Sequence, residues 1–158
     1  MPYRVFISHS TRDQGLVIAL ANLLSKYGAT VFVAEGYLAP GEQLAKKVFE
    51  QIRSSDCVAV LLTRNGMRSN WVQQEIGFAI SSRKPLIPLV ERGVERKDLG
   101  ALQRREFIQY DPDHPQEALL RTATYVSSLK LKKEEQEKAL LIAGGIMAFL
   151  LLLHGTRS

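Results

Sequence analysis

Cys57-Val58-Ala59-Val60-Leu61-Leu62 is six apolar residues in a row, with no polar residue at every second position. A strand with one wet face alternates; an unbroken run of this length marks a strand covered on both faces, as in the centre of a parallel sheet. Reading outward, residues 42–54 carry Leu44, Val48 and Ile52 at helical spacing, and residues 71–81 form a further helix followed by a strand over 85–90. Upstream, Val5-Phe6-Ile7 is a short apolar strand. Residues 14–26 then place Leu16, Val17, Leu20, Leu23 and Leu24 on one helical stripe, closed by Tyr27-Gly28. A strand over 30–33, a strand over 106–110 and a helix over 114–128, started by Pro115, complete the series. Strands alternating with helices predict an α/β fold, a doubly wound five-stranded parallel sheet with helices on both faces. Ligands of such sheets bind at the carboxyl ends of the strands. That rule gathers Ser8-His9-Ser10, the loop over 35–41 and the loop over 63–70 around one crevice.

At 158 residues there is room for one ordinary domain, expected over 1–130, and 46% hydrophobic residues suffice for its core. The net charge of +5 raises nucleic-acid binding. Yet Arg92/Arg96/Lys97, Arg104/Arg105 and Lys130/Lys132/Lys133 are not interleaved with aromatic residues, so no nucleic-acid partner is expected. Cys57 is the single cysteine and reads as a small buried hydrophobe, which rules out an intramolecular disulfide. His9, His114 and His154 are too scattered to suggest a metal site. The absence of disulfides fits a reducing cytosol, and no apolar signal region precedes the domain at Tyr3, which is expected to be cytoplasmic.

The tail changes character. Residues 131–138 read as a charged linker, and residues 139–153 contain no charged or strongly polar side chain. Fifteen residues at ~1.5 Å each reach only about 22 Å of a ~30 Å hydrocarbon core, a gap narrowed by extending the helix to 155 and by snorkelling of Lys138. A core helix or an oligomer-packing helix is the alternative. A completed α/β unit leaves such a helix no place, so residues 139–155 are expected to form a transmembrane anchor. Lys130, Lys132, Lys133 and Lys138 before it, against Arg157 after it, put the domain on the cytosolic side.

Gly36 and Gly41 fit neither a dinucleotide fingerprint nor a triphosphate loop, and no serine nucleophile elbow occurs. The remaining candidate is Ser69-Asn70-Trp71-Val72-Gln73-Gln74-Glu75. Trp71 and Glu75 stand four apart, on one face of a helix whose Trp71 end meets the crevice. Such a pair suits binding of a cation, a sugar or a peptide. A half-buried tryptophan beside a solvated glutamate satisfies the same pattern.

Taken in order, these pieces resemble Toll/interleukin receptor (TIR) domains over about residues 3–128. Val5 through Asp13 is similar to their first strand and loop. Val31-Phe32-Val33 through Tyr37-Leu38-Ala39-Pro40-Gly41 resembles their second strand and following loop, and Ser55 through Leu62 their third strand. Ser69-x-Trp71-x-x-x-Glu75, then Lys84-Pro85-Leu86-Ile87-Pro88-Leu89, resembles the helix and fourth strand of the bacterial, plant and axonal branches. The resemblance implies a flavodoxin-like fold and cleavage of the nicotinamide–ribose bond of NAD+, which is substrate rather than cofactor. It nominates Glu75 as catalytic and Trp71 as a wall of the nicotinamide pocket, with Phe6, Ser8, His9 and Gly41 near the dinucleotide. The implied setting is antiphage or cell-autonomous immune signalling, with self-association or other TIR domains as partners. ADP-ribose or a cyclic isomer would be the product. A non-catalytic TIR scaffold at a membrane, or a mimic of host TIR signalling, are the competing readings.

Overall fold

The computed structural model describes residues 2–33 and 42–155, with the side chains of the second helix described from Ala45 onward. Five parallel strands form one sheet: β1 (Tyr3–Ser8), β2 (Ala29–Val33), β3 (Cys57–Leu62), β4 (Leu86–Glu91) and β5 (Ile108–Tyr110). Their spatial order is β2-β1-β3-β4-β5, the flavodoxin-like order. The helices are α1 (Gln14–Lys26), α2 (Glu42–Ser54), α3 (Arg64–Met67), α4 (Asn70–Ser81) and α5 (Pro115–Gly155). The α/β sheet anticipated from the apolar runs is therefore present.

Alternation along the strands divides the core in two. Val5, Ile7, Cys57, Ala59 and Leu61 face Val17, Leu20 and Leu24 of α1 and Leu119, Ala123 and Val126 of α5. Phe6, Val58, Val60 and Leu62 face the other way, onto Val48 and Ile52 of α2 and Val72, Ile76 and Ala79 of α4. Each residue of β3 is at most 1% exposed, the state its unbroken apolar run requires. Pairing of Val5 with Cys57 and of Val58 with Leu86 fixes the register of the centre. Burial with little access to water pushes the Cys57 thiol up to about 12, so it is inert as a nucleophile.

Some boundaries differ from expectation: β1 is six residues long rather than the three of Val5-Phe6-Ile7, and β5 is shorter than expected. β5 is an edge strand of three residues and excludes Glu106 and Phe107, because only Ile108–Tyr110 pairs with β4. Within the 63–70 loop the chain makes the extra turn α3, whose Thr63 cap accepts a hydrogen bond from the Gly66 amide at 2.9 Å.

The largest difference is in α5. The expected helix over 114–128 does not stop, and the charged segment over 131–138 is helical, so α5 continues to Gly155. Lysine and glutamate are good helix formers, and they lie four apart here: Lys130 to Glu134 at 4.0 Å and Lys133 to Glu137 at 3.8 Å. Lys133 also reaches Asp56 at 2.9 Å and lies over the Tyr3 ring, tying the segment to the domain. Beyond it, Leu140, Leu141, Ile142, Ile146, Met147 and Phe149 are all exposed. By length and composition α5 as a whole is long and apolar enough to cross a membrane, and its most apolar window is not buried. The reading of the tail as a core helix is thereby overturned.

Candidate functional site

The carboxyl end of β1 carries the first part of the site. Ser8 pairs with Val60 of β3 and is completely buried, and His9 is 1% exposed as the chain turns away. His9 Nδ1 lies 3.3 Å from the Ile7 carbonyl oxygen. Burial holds the His9 imidazole below its usual range, against the opposing effects of that carbonyl and of Asp13, so the ring is neutral near pH 7. Phe6 is wholly buried in the cluster that includes Val72 and Ile76, so it backs the site from within the core.

The second part is α4. Ser69 caps it, its hydroxyl accepting from the Val72 amide at 3.3 Å, which sets the rotation of the helix over the sheet. Val72, Ile76 and Ala79 define the inward face. Glu75 falls on that same face, while Gln73 and Gln74 are exposed. The solvated glutamate that the sequence pattern also permitted is thus corrected: Glu75 is 1% exposed. Trp71, one turn earlier, is half-buried and packs on the α2/α4 cluster.

These placements bring Ser8, His9, Phe6, Trp71 and Glu75 together at the end of the sheet predicted to bind ligands. Gly41, the remaining expected contact, lies outside the described residues with the whole 35–41 loop.

Glu75 is chemically unusual. Burial pushes its carboxyl from 4.5 to about 7, with the Ser8 hydroxyl acting weakly in the opposite direction. Yet no donor stands in hydrogen-bonding geometry with either carboxylate oxygen among the described residues, and Ser8 Oγ is likewise without a partner. A buried carboxylate normally finds donors, because an unsatisfied one costs several kcal/mol of order. Such a group attracts a cation and resists staying ionised until one arrives.

Asp13 is a structural member of the rim that sequence reading passed over. The Thr63 hydroxyl donates to its Oδ2 at 2.6 Å and the Asn65 amide to its Oδ1 at 3.3 Å, clamping the turn after β1 to the loop after β3. Its visible sign was limited to Asp13 standing before a helix. At the opposite end of the sheet, a cavity of about 750 Å³ between Leu86–Pro88, Phe107 and the Leu120–Tyr125 face of α5 contains none of the site residues.

Comparison with known proteins bears on the family and the fold. A family model described as the TIR domain matches residues 5–140. A protein of Paracoccus denitrificans (strain Pd 1222) named NAD(+) hydrolase PdTIR is 30% identical over 93 residues, 56% of this chain and 31% of that protein. The probable 2' cyclic ADP-D-ribose synthase TcpO of Methanobrevibacter olleyae is 30% identical over 74 residues, 46% of this chain and 22% of that protein. The chain thus spans less than a third of the length of either. Among solved structures, the TIR domain of the Toll-related receptor TRR-2 of Hydra magnipapillata superposes with a TM-score of 0.60 at 22% identity. It covers 76% of this chain and 97% of that one.

Proposed function

The chain belongs to the TIR domain family, and from that premise we propose that it cleaves NAD+ at the nicotinamide–ribose bond, with Glu75 as the catalytic group. The observation that carries this reading is the buried Glu75 carboxylate, without a hydrogen-bond partner among the described residues, beside Ser8 at the carboxyl end of the sheet. The nicotinamide of NAD+ is cationic while bonded to ribose and departs neutral, so no acid need protonate the leaving group, unlike an ordinary glycoside. What forms is a ribosyl cation. A carboxylate held without competing donors stabilises that charge more in the transition state than in the free site. Entry of the cationic pyridinium beside Glu75 would itself favour the ionised form.

Trp71 would wall the nicotinamide, with Phe6 behind it, while Ser8, His9 and Gly41 lie near the rest of the dinucleotide. Water capturing the cation gives ADP-ribose, and an internal adenine nitrogen gives a cyclic isomer. The chemistry requires no metal ion and no cofactor besides the substrate. Self-association with other TIR domains would complete the site, in the setting of antiphage or cell-autonomous immune signalling.

The exposed apolar end of α5 supports a companion reading, that residues 139–155 anchor a cytosolic TIR domain to a membrane. Incubation of concentrated full-length protein with NAD+, with products resolved by chromatography, tests the enzyme reading. Nicotinamide release is expected, and its absence from concentrated wild-type protein would favour the non-catalytic scaffold. Cell fractionation with an alkaline carbonate wash tests the anchor, which predicts retention in the pellet.

A further inference from the structure

α5 fixes which end of the domain meets the apolar tail. Lys130 lies over Gly28, so closely that a Cβ there would come within 2.6 Å of its Nζ. Lys133 pairs with Asp56 at 2.9 Å and covers the Tyr3 ring at 5.9 Å. Gly28, Asp56 and Tyr3 stand at the starts of β2, β3 and β1, so Lys133 is level with the amino ends of the strands. Ala139 follows six residues later, ~9 Å further along the helix axis. The apolar segment therefore departs from the amino end of the sheet, and the Glu75 crevice opens at the other.

That amino-end surface is basic. α1 ends on Lys26 and α2 runs out at Arg53; Arg83-Lys84 precede β4 and Arg104-Arg105 precede β5. Lys26, Arg53, Arg83, Arg104 and Arg105 are exposed and Lys84 partly so, and none of them has a carboxylate within ion-pair distance among the described residues. Of the acidic groups on the same side, Asp56 is engaged with Lys133, and Glu134 and Glu137 with Lys130 and Lys133, leaving Glu50, Glu106 and Glu135. At the crevice end the charges are mixed, with Arg92 paired to Asp111 and Lys97 to Glu95.

Resting on the anchor reading above, we propose that the amino-end face lies against an anionic bilayer surface, with Lys26, Lys84, Arg104 and Arg105 among its headgroup contacts. The tail holds this face ~9 Å from the start of the apolar segment, close to one Debye length (~8 Å), a range over which unpaired lysines and arginines are attracted to anionic lipid. The crevice then faces away from the membrane, open to dissolved nucleotide.

Because Cys57 is buried, a single added cysteine can be labelled selectively. Full-length Ser81→Cys reports on the amino end and Gln116→Cys on the crevice end, each carrying a fluorophore and bound to vesicles doped with a headgroup quencher. The vesicles are phosphatidylcholine alone, or the same with one-third phosphatidylglycerol. Flotation with both vesicle types is expected, with about twofold stronger quenching at Ser81→Cys on anionic vesicles. That excess should vanish in high salt, and little quenching should occur at Gln116→Cys. Lys84→Glu/Arg104→Glu/Arg105→Glu should remove the excess and leave flotation intact. Flotation with both types but equal quenching at Ser81→Cys, or stronger quenching at Gln116→Cys, overturns the docking while sparing the anchor. Flotation only on anionic vesicles, reversed by salt, supports the basic face and overturns the anchor. Failure to float with either overturns both.

Discussion

Replacing Glu75 by Gln should destroy activity and strengthen the fold, in a manner set by pH. Burial raises the Glu75 carboxyl from 4.5 in the unfolded chain to about 7 in the folded protein. Between those values the folded state binds a proton that the unfolded chain has released, so stability falls as pH rises through this window. The loss is complete above about 7. At ~1.4 kcal/mol per pH unit the displacement corresponds to ~3 kcal/mol, and Gln, which never ionises, escapes it. Glu75→Gln should therefore match wild type near pH 4.5 and exceed it by ~2–3 kcal/mol at pH 8. Trp71, the single tryptophan, sits one turn away and reports unfolding by fluorescence in a urea titration of the full chain in detergent. In the same preparation NAD+ cleavage should fall at least ~100-fold. A variant no more stable than wild type at pH 8, or a gain identical at both pH values, would refute the account of Glu75 as an unpaired buried acid. Wild-type turnover by the folded variant would remove it from the mechanism.

In wild type, kcat/KM for NAD+ should rise with pH as a single ionisation near 7 and then level, because the carboxylate is the working form; a flat profile from acid to neutral pH would count against this. Gly66→Ala should lower stability by at least ~2 kcal/mol, since a Cβ there collides with the Leu61 carbonyl, which is fixed backbone. An unchanged urea midpoint would show that the turn relaxes. Activity per molecule should increase with protein concentration if self-association completes the site, and specific activity constant from nanomolar to high micromolar protein would contradict it.

The parts of this fold whose bounds are readable from sequence are those with an unbroken apolar run or a clean apolar stripe. β3, α1 and α2 have the expected bounds because a fully covered strand or a clean apolar stripe leaves no ambiguity of phase. β5 and α5 depart from the pattern for the opposite reason. An edge strand of three residues carries no period, and a charged run looks like a linker until its lysines and glutamates are seen to be four apart. The site was half readable. Trp71 and Glu75 share a face by spacing alone, but Gln73-Gln74-Glu75 are equally polar in sequence, and only the phase set by Val72 and Ile76 makes Glu75 the buried one. Its neighbour Ser8 is 67 positions away in the chain, a proximity created by the sheet order and invisible to local pattern. The same holds for the clamp between Asp13 and Thr63.

Because α5 runs unbroken from the domain core into the tail, the two are geared to one another in angle as well as in distance. Each residue advances a helix by ~100°, so one residue inserted after Lys133 would swing the face carrying Gly144 and Gly145 through more than a quarter turn relative to the Glu75 crevice. Seven inserted residues would return it to within ~20° of its starting azimuth. A flexible connector would absorb either change. Here the helix behaves as a keyed shaft, and whatever orientation the tail takes is handed to the domain.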